Sequence, residues 1–224
     1  MMIFESLGAV ARLCIDDGAS AKAVDRMNAF STELWTRLWT DHVRLLPKGR
    51  IVKKEDGGLV WSLSWMMYYF RKISVDRNRC PVRPGSKFAH LAILAWFHLT
   101  EVNDCQTAME NASYIIEARD SRLISFSEFG PMAKEIIDTF GAEPFLQRFI
   151  KDLQNTQLPK EHVYLDISLF GLMYEHSPDF QRLYGPLDVV GYVVDTLGRI
   201  GKTTSSPEGQ WELFTYADLT LGCV

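Results

Sequence analysis

Apolar residues recur every three or four positions along most of this chain, and that spacing predicts a mostly α, multi-helix globular fold of eight or nine helices. In residues 3–14, Ile3, Phe4, Leu7, Val10, Ala11 and Cys14 share a helical face that stops at Asp16-Asp17-Gly18. Ser20 then caps a predicted helix over 21–45. Its apolar stripe is Met27, Phe30, Leu34 and Leu38, with Trp35 and Trp39 four apart beside it. Leu46-Pro47-Lys48-Gly49 ends that helix. An Asp56-Gly57 turn between two alternating runs predicts a short basic β-hairpin over about 50–62. A helical reading competes from Leu59, because Leu59, Leu63, Met66, Met67 and Phe70 also share a helical face, and a helix is expected to about Ile73. Pro81, Pro84 and Gly85 make 74–86 a loop.

Ser86 caps a helix over 87–102 that is apolar nearly all round and is therefore expected at the centre of the core. Further helices are predicted over 104–118, over 128–140 with Pro131 in the first turn and Gly141 as the stop, and over 143–153. Three more follow over 160–176, over 178–184, and from Pro186 to about 201. Residues 202–210 form a loop, and Trp211, Leu213 and Thr215 alternate with Glu212, Phe214 and Tyr216 as in a strand. This closing order of helix, short helix, helix, turn and strand resembles that of winged-helix domains. Two domains are expected: a helical one over 1–160 and a winged-helix-like one over 161–224. From Asp166 to Asp218 there are eight acids against Arg182, Arg199 and Lys202, so such a module would favour protein contacts over phosphates.

Charge changes the picture more than composition does. Residues 44–87 hold eleven basic residues against Glu55, Asp56 and Asp76, a net of +8 in a chain whose net charge is −4. The rest is acidic, reaching −10 over 88–224. Such segregation points to an anionic partner for the basic part. At 224 residues, no apolar run approaches the roughly 20 needed to span a bilayer, so no membrane association is expected. The opening residues carry Glu5 and lack a basic leader, which predicts a cytoplasmic setting. Cys14, Cys80, Cys105 and Cys223 are too scattered for a zinc ribbon or a disulfide framework and are expected to be reduced thiols.

The expected partner-binding residues are Arg44, Lys48, Arg50, Lys53, Lys54, Trp61, Trp65, Arg71, Lys72, Arg77, Arg79, Arg83 and Lys87. The cations would neutralise phosphates or carboxylates while the rings stack on bases. Trp61 and Trp65 in the core, beside a solvated basic loop, are the competing arrangement. A non-enzymatic accessory protein follows, contacting nucleic acid or an acidic protein and needing no cofactor. A purely structural subunit with an interface at 61–67 is a third class.

RLWTDH, Arg37 to His42, resembles the R-x4-H motif of HEPN ribonucleases, departing from it at Leu38. The resemblance implies a metal-independent ribonuclease in which Arg37 holds the scissile phosphate and His42 acts as acid–base group. LGRIGKTT at 197–204 echoes the end of a phosphate-binding loop, but Thr196 stands where glycine is required. His98 with Glu101, and His162 with Asp166, could share helix faces, yet no third metal ligand is placed. No G-x-S-x-G or cysteine-protease signature occurs.

Overall fold

Nine helices run through the stretches that the computed structural model describes, namely residues 6, 9, 21–41, 59–75, 86–99, 102–120 and 125–203. They are α1 Ala21–Thr40, α2 Leu59–Val75, α3 Phe88–His98, α4 Val102–Asp120, α5 Phe126–Phe140, α6 Ala142–Gln154, α7 Lys160–Glu175, α8 Pro178–Tyr184 and α9 Val189–Thr203. Among the described residues there is no strand. The chain divides into two units, Met1–Ser125 and Phe126–Val224; residue 160, the expected domain boundary, lies within the second.

The first unit is built around α3, whose residues Phe88 to Trp96 are all buried. A helix apolar on every side must be enclosed by others, and α1, α2 and α4 enclose it. The Ser86 hydroxyl accepts from the Phe88 amide at 3.2 Å and so ties down the start of α3. Trp35 of α1 is wedged edge-on between Phe70 of α2 and Phe88, with ring centroids 5.3 and 5.5 Å away. Asn111 of α4 donates to the Ser64 carbonyl of α2 at 2.9 Å, a buried polar tie between the two.

In the second unit α6 is central, touching α5, α7, α8 and α9. Gly141 joins α5 to α6 at φ 82°, a left-handed conformation that glycine adopts without strain. Its amide donates to the Ile137 carbonyl at 2.7 Å. The core is an aromatic stack: Phe149 lies 4.6 Å from Phe170, and Phe170 lies 6.1 Å from Phe180 and 6.0 Å from Tyr184, all nearly parallel. Ser177 caps α8 by accepting from the Phe180 amide at 3.3 Å. At the other end of α6, the Leu153 carbonyl is one of the four that a helix end leaves unpaired. It accepts from Thr196 at 3.0 Å and from Arg199 at 2.8 Å, both on α9.

Several expectations are corrected. Residues 59–62, the end of the expected hairpin, belong to α2, because burial of Val60 and Leu63 favours the helical register over the strand register. The remainder of the hairpin, 50–58, lies outside the described residues, as do the strand expected near 211–219 and most of the helix expected at 3–14, of which Ser6 and Ala9 are helical. The buried face of α1 is Ser31, Trp35 and Trp39; Met27, Leu34 and Leu38 are only partly covered and Phe30 is 48% exposed. Pro131 sits inside α5, which begins at Phe126, so it follows the first turn. The last helix starts at Val189, not at Pro186, because residues 185–188 form a turn closed by Asp188 donating to the Gly185 carbonyl at 2.9 Å. Residues 197–203 lie within α9, so the phosphate-loop echo is helix instead of loop.

Candidate partner-binding face

Helix α2 has two faces of different character. Leu63, Met66, Met67 and Phe70 form its buried side. Trp61, Trp65, Tyr68 and Lys72 fall at i, i+4, i+7 and i+11, within about 60° of arc at the helical pitch, on the opposite side. The three rings and the adjacent Tyr69 are partly exposed, and Lys72 is exposed.

The rings brace one another. Trp61 and Trp65 meet edge to face at 6.1 Å, Trp65 and Tyr68 at 5.6 Å, and Tyr68 and Tyr69 at 5.6 Å. Trp65 and Tyr69 lie 6.0 Å apart and tilted. The Lys72 ammonium stands 5.3 Å from the Tyr68 ring centre, within cation–π range. What results is an aromatic stripe with a cation at one end.

The expected site residues separate into distinct environments. Trp61, Trp65 and Lys72 come together on this face. Arg71 is turned inward and is 8% exposed. Its guanidinium donates to the Glu110 carbonyl, reaches the Glu110 carboxylate at 3.1 Å, and lies 5.1 Å from the Tyr68 ring and 4.7 Å from Tyr114. Arg71 therefore fastens α2 to α4. Lys87 occupies the N-cap position of α3, partly exposed. Arg44, Lys48, Arg50, Lys53, Lys54, Arg77, Arg79 and Arg83 lie outside the described residues. Arg37 is exposed and ion-paired with Glu33 at 2.5 Å; His42 lies outside the described residues.

Tyr68 and Tyr69 belong to the stripe, although among the aromatics only the tryptophans were expected to bind. The signal for Tyr68 is legible: it shares the helical register of Trp61, Trp65 and Lys72.

Of a second polar constellation the sequence indicated His162 and Asp166 but not Arg148 and Asp152. Arg148 and Asp152 of α6 form a buried ion pair, with side chains 6% and 5% exposed. His162 and Asp166 of α7 are buried as well. Burial, and then the positive charge of Arg148, hold the His162 imidazole down to about 4, so it is neutral at physiological pH. Burial also lowers the proton affinity of His98. Among the described residues no three His, Cys, Asp or Glu side chains form a metal-holding group, and no helix is long and apolar enough to cross a membrane.

Comparison with known proteins returns no matching family model, no matching curated protein and no matching solved structure.

Proposed function

We propose that this chain is a non-enzymatic binding protein whose basic-aromatic segment, residues 44–87, contacts an anionic partner, a nucleic acid or an acidic protein. The observation that carries the reading is the outer face of α2. A helix face turned from the core is ordinarily polar; here it presents Trp61, Trp65, Tyr68 and Tyr69, partly exposed, inside the most basic stretch of the sequence. Partly exposed aromatics are typical anchors for a partner. The acidic helical remainder is assigned to protein contacts on the strength of its charge alone. The winged-helix-like reading of 161–224 rests on the sequence order of its elements, and its expected strand lies outside the described residues. A cytoplasmic setting draws support from the scattered cysteines.

Reversing Lys53, Lys54, Arg77 and Arg79 to Glu tests the proposal. The native protein should need raised salt to elute from immobilised heparin, a generic polyanion. The fourfold variant should pass straight through while its far-ultraviolet circular dichroism stays helical. Equal retention of the two would sink the reading.

A further inference from the structure

We infer that the outer face of α2 is a stacking platform for single-stranded nucleic acid, with Trp61, Trp65, Tyr68 and Tyr69 receiving bases and Lys72 a phosphate. The inference rests on the anionic-partner reading above and selects one partner from it.

Cations alone suit any polyanion, so the rings make the choice. A carboxylate-rich protein surface would answer the basic charge and leave four aromatic side chains unmatched. A duplex would answer the charge and keep its base faces hidden in the stack. Only a single strand offers phosphates and open base faces together, and base–aromatic stacking with a positively charged track is how such strands are held without sequence preference. The geometry suits this. The stripe from Trp61 to Lys72 is a straight row on one helix, about 16 Å long at 1.5 Å per residue. Its rings are mutually braced at 5.6–6.1 Å, which pre-orders them and lowers the entropy lost on binding. The sequence on either side matches in charge: 44–58 has five basic residues against two acids, and 76–87 has four against one. A linear polyanion laid along α2 would therefore meet the stretch of chain in which basic residues are densest.

The test uses the full chain and a panel of equal-length ligands: single-stranded RNA and DNA, the matching duplex, an abasic strand and polyglutamate, each titrated at several salt concentrations. Single strands of either sugar should bind about tenfold or more tightly than the abasic strand, and tryptophan emission should fall on binding. Lys72→Glu should lower the salt slope by about one phosphate. Trp65→Leu should weaken single-strand binding about tenfold and leave the abasic strand unaffected, while Trp65→Phe, which keeps a ring, should retain most of it. Equal affinity for single strand, abasic strand and duplex, with Trp65→Leu silent, would overturn stacking and leave the anionic-partner reading standing. Preference for polyglutamate would replace the nucleic acid with an acidic protein. No binding to any of these ligands at low salt would overturn both.

Discussion

A methyl group added at Gly191 would lie 2.5 Å from the Asp188 carboxylate, whereas one added at Gly198 would meet nothing within 4 Å. Both glycines are in α9, so the helix-propensity gain from alanine is the same at each. Asp188 holds φ 49°, a left-handed conformation that aspartate tolerates better than most residues, and its exposed carboxylate would have to rotate away from the added methyl. Gly198→Ala should therefore raise the stability of the second unit by about 0.5–1 kcal/mol. Gly191→Ala should gain less, because moving the Asp188 carboxylate aside offsets part of the propensity gain. Thermal unfolding of the two variants checks that Gly198→Ala is the more stable. Nothing in the sequence separates these positions, because the distinction lies in where the carboxylate three residues upstream is folded.

The elements were legible where the spacing of apolar residues was unambiguous. Helix α3 could be placed at the centre of its unit from composition alone, since eleven residues without Asp, Glu, Lys or Arg leave no face for water. Helix α1 was legible as a helix but not in its orientation. Its apolar arc is wide enough that Met27–Leu38 or Trp35–Trp39 could each have been the inner edge, and the neighbours α2 and α3 decided for the tryptophans. Asp56-Gly57 spoke for a hairpin reaching residue 62, yet the pattern from Leu59 onward spoke for a helix, and over 59–62 the larger burial prevailed. The proposed binding face was half legible: periodicity puts Trp61 and Trp65 together, but whether that side meets the core depends on packing the sequence does not encode locally.

Helix α6 illustrates what such packing demands. Arg148 and Asp152 are buried together one turn apart. Asp152→Ala should cost about 3–5 kcal/mol, because it strands a guanidinium inside the protein. Replacing both residues with Met and Leu should recover most of that loss. Denaturant titration of the single and double variants distinguishes a pair that stabilises from one that is merely self-consistent.

At the scale of the whole molecule, acid should weaken the second unit through one buried imidazole. The His162 imidazole in α7 falls to about 4 in the folded chain from an ordinary 6.5. Between those values the unfolded chain holds more protons than the folded one, so stability rises with pH. The contribution is complete above about pH 6.5 and drains away as the pH falls toward 4, amounting to at most a few kcal/mol. Urea unfolding of the second unit should show this loss between pH 7 and pH 4.5. His162→Gln should flatten the slope, and an unchanged slope would show that another group is responsible.

The enclosure of α3 from Phe88 to Trp96 has a consequence for the protein once its first unit opens. Released from α1, α2 and α4, the segment Phe88 to His98 would meet water as eleven residues with two histidines as its sole polar side chains. Low charge, no proline and dense apolar content are the attributes of a segment that seeks its own kind in other molecules. Opening is then a step toward precipitation as much as toward an unfolded chain, and the shelf life of concentrated protein is set by how seldom those three helices part.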